Sequence, residues 1–400
     1  MKCTRKITDD ITWIGVDTHP HTLFEGIYPV PRGISYNSYL LIDEKTVLFD
    51  TVEQSAAPVF FENLEATLGD LPLDYIVVHH MEPDHSATLF DTLNRHPEAT
   101  VICNSRALSM MRQFFGKAPK SRVVSEGEVI SFGSHKISFT FAPMVHWPEV
   151  MMSYLSPEGI LFSADAFGSF GALDGSIFAD EVSFDRDYLD EAGRYYCNIV
   201  GKYGAQVESA LRKLAPLDIK IIAPLHGLVW RKDLGYYMEK YRLWSSYTPE
   251  VNGALIAYAS IYGNTALAAN ILACKLRELG VPTRVYDTTV THHSTILYEA
   301  FRHSNLVVAS PTYNGEIFPT LESLLRDIVS HNLKNRRVSI IENGTWAPAA
   351  AGKIKSMLEP ISGTEFVGDA LTLRSALTPD SEDDLDRLAR AIKCSINTRK

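Results

Sequence analysis

The chain has 400 residues, with 38 Lys+Arg against 48 Asp+Glu for a formal net charge of -10, and it is 46% hydrophobic and 22% charged. Such a length exceeds a comfortable single domain, and the apolar content supplies two cores. The acidic balance excludes a nucleic-acid backbone as partner, which needs clustered Lys/Arg, and suits an anionic membrane surface poorly.

In chain order, strands are predicted at "ITWIGV" (11–16), "SYNSYLLI" (35–42), "TVLFDTV" (46–52), "YIVVHH" (75–80), "TVICN" (100–104) and "KISFTFAP" (136–143), all rich in β-branched and aromatic residues. Helices are predicted between them at 57–70 and 105–116, where apolar residues fall at helical spacing ahead of a Gly. Further on come a strand in "GILFSADAFG" (159–168), one long helix over 194–217, and a strand in "IKIIAPLHG" (219–227). This mixture, with polar residues gathered at strand ends, describes a layered α/β or α+β domain. "SSYTPEVNG" (245–253) is polar, contains Pro and Gly, and reads as a linker, so domains are expected at 1–249 and 250–400. After it, strands at 254–260, 282–288, 305–311 and 336–344 alternate with helices at 265–280, 321–329 and 351–358. That rhythm implies a doubly wound parallel sheet. Cys3, Cys103, Cys197, Cys274 and Cys394 are scattered and form no CxxC pair. Neither a disulfide framework nor a thiolate metal site is expected, and a reducing cytoplasm is the simplest compartment. No apolar run reaches the roughly 18 residues a membrane helix needs, and the N-terminus has no signal-peptide pattern.

The stretch "HHMEPDHS" (79–86) closes a predicted buried strand and concentrates His80, Glu82, Asp84 and His85 as H-x-E-x-D-H. Buried together, these groups need a compensating positive charge, which a metal supplies. His146, Asp165 and His226 each follow another predicted strand. A single buried histidine is more often a hydrogen-bonded core residue than a ligand. Four such motifs at strand ends reverse that reading. The ligand set is too large for one tetrahedral zinc and suits two metals with one carboxylate bridging. Imidazole and carboxylate without thiolate is compatible with iron, manganese or zinc.

H-x-E-x-D-H with His146, Asp165 and His226 downstream resembles the metallo-β-lactamase fold, an αββα sandwich. That superfamily usually carries His where this chain has Glu82, and the added carboxylate favours iron over zinc. In that substitution, and in "HWPE" (146–149) and "HGLVW" (226–230), the chain resembles the flavodiiron proteins (A-type flavoproteins).

In the second half, "YASIYGNTA" (258–266) places Ser260, Ile261, Tyr262, Gly263, Asn264 and Thr265 between a strand and a helix. Hydroxyls and backbone N–H groups there make an anion site without a cation. The P-loop lysine is absent, so a nucleoside triphosphate with magnesium is not expected. Flavin mononucleotide fits, and "SPTYNG" (310–315) and "NGTWAP" (343–348) resemble flavodoxin ring-binding loops. They contribute Pro311, Thr312, Tyr313, Asn314, Gly315, Asn343, Gly344, Thr345 and Trp346.

The flavodiiron resemblance covers nearly the whole chain and points to the minimal two-domain class, which takes electrons from an external donor such as rubredoxin or a reduced deazaflavin. It implies reduction of O2 to water, of NO to N2O, or both. His80, Glu82 and His146 would hold one iron, and Asp84, His85 and His226 the other, with Asp165 bridging. It further implies a head-to-tail homodimer or a dimer of dimers, bringing one chain's flavin to the other's irons, with Trp147 and Trp346 as aromatic candidates to line that junction. Where many members carry a His near residue 25, this chain has Glu25, a candidate proton relay or extra ligand. The rival readings are a dizinc hydrolase fused to a flavodoxin-like domain and an electron carrier with a degenerate metal domain. His79, His19, His21, His292 and His293 are read as outside the site, the last two as solvated.

Overall fold

A computed structural model describes residues 2–19 and 23–397; His21 lies outside them. The chain divides into two compact units, Met1–Arg242 and Leu243–Lys400.

Among the described residues, the first unit contains two two-stranded ribbons, Val16–Thr18 with Ile34–Tyr36 and Leu23–Phe24 with Tyr28–Pro29, and two large sheets. One orders its strands Arg5–Lys6, Ile11–Trp13, Tyr39–Ile42, Thr46–Phe49, Tyr75–Val77, Thr100–Cys103 and Ser121–Val123. The other orders Val129–Ser131, Lys136–Phe141, Met151–Ser156, Ile160–Phe162 and Ile221–Ala223. Their apolar faces meet in the middle. Phe49 of the first sheet stacks on Phe162 of the second with ring centroids 3.9 Å apart, and Tyr39 packs on the same ring at 5.3 Å. Offset aromatic contacts of this kind add about 1 kcal/mol each beyond the area they bury. Helices such as Ala57–Leu68 and Ser105–Phe115 complete the layers. Asn104 caps the latter by accepting from the Arg106 and Ala107 N–H groups.

Three local expectations are corrected. "SYNSYLLI" is divided between Ile34–Tyr36 and Tyr39–Ile42, which belong to different sheets. "ITWIGV" is not one strand. It splits into Ile11–Trp13 and Val16–Thr18, which pair with different partners. Gly15 permits the crossing, because a Cβ there would stand 2.4 Å from the Tyr36 carbonyl oxygen. The predicted helix over 194–217 is also broken. A helix ends at Tyr195, a wide π-type turn runs through Tyr196–Val200 and a tight turn through Gly201–Tyr203, and a second helix spans Gly204–Leu214. Apolar periodicity continues through the interruption, whereas Gly201 and Gly204 weaken the helix there.

The second unit is a parallel sheet in the order Thr283–Asp287, Val251–Tyr258, His303–Tyr313, Arg337–Asn343, followed by the short strands Glu365–Phe366 and Leu371–Leu373. This is the 2-1-3-4-5 order of flavodoxin-like folds. Its core joins Ala254, Ile256, Val307 and Ile341 of the strands to Leu272 and Leu276 of the helix Asn264–Glu278 and Leu388 and Ile392 of the helix Pro379–Asn397. No helix among the described residues is long and apolar enough to cross a membrane.

Candidate metal centre and flavin site

Parallel pairing of Ile160–Phe162 with Ile221–Ala223 delivers Asp165 and His226 at the same end of their sheet. His80 follows Tyr75–Val77, and His146 lies in the loop after Lys136–Phe141. The seven residues converge as two groups, His80, Glu82, His146 and Asp165, and Asp84, His85 and His226. In the first, His80 Nε2 stands 3.2 Å from Glu82 Oε2 and 3.2 Å from Asp165 Oδ2. His146 Nε2 is 3.0 Å from the same Glu82 oxygen and 3.4 Å from Asp165 Oδ2. In the second, Asp84 Oδ2 lies 3.2 Å from His85 Nε2 and 3.1 Å from His226 Nε2. Asp165 Oδ1 faces both of these imidazoles, at 3.3 and 3.7 Å. The two oxygens of Asp165 therefore serve different groups.

A pair of cations fits this donor set. Both oxygens of Asp84 and both of Asp165 are buried without a hydrogen-bond partner, an arrangement that costs several kcal/mol unless a positive charge compensates. The His85 and His226 Nε2 atoms approach to 3.0 Å, as two lone pairs do when they share a cation. Outer groups fix the rings. Glu149 Oε1 accepts from His80 Nδ1 at 2.8 Å and from the Met81 N–H at 2.9 Å. The Ser35 carbonyl accepts from His226 Nδ1 at 2.7 Å. Each bond leaves Nε2 aimed inward, the usual support of a metal-bound imidazole. Burial pulls the His146 imidazole down, but the Asp165 and Glu82 carboxylates outweigh it and hold it up to about 9. A proton thus competes with a cation for this nitrogen.

The backbone around the centre is strained. Glu25, Met144, Ala164 and Phe167 have φ of 50°, 66°, 52° and 66°, a region that side chains other than Asn or Gly adopt at a cost of about 1–3 kcal/mol. The turn after His226 needs glycine, since a Cβ on Gly227 (φ 75°) would stand 2.1 Å from Ser169 Oγ.

In the second unit, a cavity of about 540 Å³ is lined by Ser260, Ile261, Tyr262, Asn264, Thr265, Pro311, Thr312, Asn314, Gly315, Asn343, Gly344, Thr345 and Trp346, with Ala347 and Ser375. It lies at the carboxyl ends of the strands, where this fold takes its ligands. Gly263 shapes the turn instead of lining the cavity, with φ 96° at the start of the helix Asn264–Glu278. No side chain caps that helix, so its first N–H groups are left for a ligand or water, and Asn264 and Thr265 at its start line the cavity. Tyr313 packs on Phe318. Tyr262 and Trp346 are 94% and 88% exposed, far more than large aromatic rings usually are, and a flat ligand between such rings would bury them.

The comparisons agree with this geometry. The model of the ODP family beta lactamase matches residues 34–227. A nitric oxide reductase of Moorella thermoacetica is 32% identical over 379 residues, covering 90% of this chain and 93% of that protein. The chain belongs to the flavodiiron protein family. Among solved structures, rubredoxin oxygen:oxidoreductase from the anaerobe Desulfovibrio gigas superposes on this flavodiiron chain with TM-score 0.93 at 26% identity, covering 98% of each. A variant of the flavo di-iron protein from Thermotoga maritima gives TM-score 0.90, also at 26% identity and 98% coverage of each. The enzyme is an oxidoreductase of flavodiiron type.

Around the flavodiiron centre, Trp147 packs edge-to-face on His80 at 5.1 Å. Glu25 sits at the tip of the hairpin Leu23–Phe24/Tyr28–Pro29, with its carboxyl close to that of Glu82. Loss of water around that carboxyl, and then the Glu82 charge, push it up to about 8. His79 lies outside both groups, bonded to Asp50 at 2.5 Å and Ser153 at 2.7 Å. His292 and His293 are half-buried, not solvated. His292 caps the helix His293–Arg302, and His293 pairs with Asp327 at 3.3 Å.

Sequence reasoning missed three parts of the sites. Glu149 closes "HWPE", and its place three residues after His146 is the signal that could reveal it. Asn37 donates to the Pro224 and Gly227 carbonyls, 2.9 Å each, and so steadies the His226 loop. Ser375 enters the flavin cavity on a turn after Leu371–Leu373, held by Asn343 through bonds of 2.9 and 3.0 Å. No sequence pattern marks the last two.

Proposed function

We propose that this flavodiiron protein reduces O2 to water, NO to N2O, or both, on two non-haem irons in the domain 1–249, with electrons passed through flavin mononucleotide in the domain 250–400. The observation that carries the reading is Asp165, whose two unpartnered buried oxygens face two separate groups of imidazoles and carboxylates. When bound, the irons and the flavin supply the redox chemistry, with four electrons and four protons per O2, or two of each per pair of NO molecules.

The chain's own residues do the rest. His80, Glu82 and His146 would hold one ion and Asp84, His85 and His226 the other, with Asp165 placed to serve both groups. Glu149 and the Ser35 carbonyl keep two of the imidazoles aimed. The carboxylate-rich set suits iron better than a softer metal. Trp147 covers the His80 edge and keeps water from it. Glu25 stands next to Glu82, placed to relay protons; comparable turnover of both gases by Glu25→His and the parent would remove that role.

In the second unit, the backbone N–H groups at Asn264 and Thr265 and the Ser260 hydroxyl would receive the flavin phosphate, and Tyr262 and Trp346 would contact the ring. The electron donor is external, of the rubredoxin or reduced-deazaflavin kind. A head-to-tail homodimer, or a dimer of dimers, brings flavin and irons of different chains together, and a fully active monomer in light scattering would contradict it. The free cysteines support a reducing cytoplasm.

The test is anaerobic stopped-flow on reduced, metal-analysed protein mixed separately with O2 and NO. Two irons and one flavin per chain, with fast flavin reoxidation by either gas, are expected. Zinc in place of iron, or a flavin indifferent to both gases, overturns the proposal.

A further inference from the structure

The second unit carries a basic pocket at the end of its sheet opposite the flavin cavity. That cavity gathers the carboxyl ends of Val251–Tyr258, His303–Tyr313 and Arg337–Asn343. The amino ends of Val251–Tyr258, Thr283–Asp287 and His303–Tyr313 lie side by side, with Val251 opposite His303 and Ala254 opposite Thr283. There a pocket of about 330 Å³ is lined by Arg277, Arg284, Arg302 and His303 together with Thr283. No carboxylate stands among its lining residues, in a chain whose formal net charge is -10. Guanidiniums gathered in one small space repel one another, and a bound anion relieves that repulsion.

Internal contacts position the pocket without filling it. Arg277 donates to the Thr283 carbonyl at 2.5 Å. Glu299, buried and outside the lining, lies 3.3 Å from Arg302 Nη1 and 3.2 Å from His303 Nδ1. One carboxylate thus stands against three guanidiniums.

Helix ends explain two of the three. Arg277 and Arg302 stand in the last turns of Asn264–Glu278 and His293–Arg302, where the helix dipole favours a cation. Arg284 has no such reason to be there. It belongs to the strand Thr283–Asp287 and forms no ion pair among the described residues, yet it lines the same pocket.

The charge and the donor type define the ligand. A guanidinium presents paired N–H donors in one plane, which match the oxygens of a phosphate group. The volume falls at the lower end of small-molecule sites, about 300–1,000 Å³. We propose that Arg277, Arg284 and Arg302 form a binding site for a phosphate-class dianion, either free phosphate or the phosphate group of a small monoester. Bound there, the anion joins the ends of two helices to the edge of the sheet and stabilises the second unit from the side remote from the flavin.

The experiment uses the protein as isolated, saturated with flavin mononucleotide so that the phosphate position at Asn264 is already filled. Sodium phosphate is titrated against sodium chloride at matched ionic strength, with binding followed by calorimetry and the thermal midpoint. One phosphate per chain and a midpoint rise that chloride does not reproduce are expected. Arg284→Gln changes an exposed strand residue and should leave the circular dichroism unaltered and the phosphate-free midpoint no lower, while weakening phosphate at least tenfold. Arg284→Lys keeps the charge but loses the planar fork, and should fall between. Adenosine monophosphate separates the two sources. Binding at least tenfold tighter than phosphate assigns the site to a monoester, and equal or weaker binding assigns it to free phosphate. Equal phosphate binding by parent and Arg284→Gln, or a midpoint rise that chloride matches, overturns the site.

Discussion

The two functional regions of this flavodiiron protein are prepared in opposite ways. The metal centre is buried and charged, with imidazoles aimed by outer hydrogen bonds and a backbone strained at several positions. Its cost is met in advance by the fold, leaving buried carboxylate oxygens without hydrogen-bond partners, which a cation would satisfy. The flavin cavity is open and nearly free of charge. Backbone N–H groups, glycine turns and two almost fully exposed aromatic rings form it, so much of its energy arrives with the ligand. Disturbing the first region should therefore remove function through lost preorganisation, whereas disturbing the second should cost only contact energy.

The sharpest break in that contrast is at Asp165. Asp165→Ala removes the oxygens facing both groups, and metal content should fall below one ion per chain with activity reduced at least about 1000-fold, checked by metal analysis and gas-consumption rates. Retention of two ions would mean that the bridge is dispensable. Next is the outer support. Glu149→Gln keeps an acceptor for His80 but loses the charge, and should weaken metal retention against a chelator by about 10–100-fold. The pH dependence sharpens the same point. With His146 held up to about 9, each cation bound there displaces a proton at lower pH. Apparent affinity should fall by up to about tenfold for each pH unit below that value, and calorimetry in buffers of different ionisation heat should register proton release.

On the flavin side, Trp346→Ala should weaken flavin mononucleotide by about tenfold, from about 1–1.5 kcal/mol of lost ring contact. The thermal midpoint of the flavin-free protein should stay the same, since the ring is 88% exposed. A drop in that midpoint would show that the ring supports the fold. The smallest effect concerns Asp43, far from either site. Burial raises its carboxyl, but the hydrogen bonds of the His135 side chain, the His135 and Glu44 N–H groups and the Ser134 hydroxyl bring it down from 3.8 to about 2. A depressed carboxylate contributes stability above its unfolded pKa and loses it as pH falls through the folded one. Asp43→Asn should thus cost about 1–2 kcal/mol at neutral pH, and the difference from the parent should shrink between pH 3.8 and about 2.

Much of this was legible in the chain. Strand rhythm announced both units, because burial imposes a period on apolar residues whatever their partners. The residues that converge in the first unit stood out because titratable side chains at the ends of buried strands bring their cost with them unless paired or bound. The residues lining the cavity of the second unit stood out because Gly, Asn and hydroxyl residues between strand and helix mark an anion turn.

Tertiary structure alone decided which groups meet. Glu149 reaches His80 across 69 positions and Asn37 reaches the Pro224 carbonyl across 187, distances over which local pattern carries no register. The same holds for the partition of Asp165 between two groups, the arrival of Ser375 in the flavin cavity, and the gathering of Arg277, Arg284 and Arg302 around one pocket. The broken helix after Tyr195 belongs with these, since its apolar period runs unbroken through a turn that packing opens. Composition and period are local and survive in the sequence, whereas pair geometry arises only once strands fix their register and loops take the shape the sheets allow.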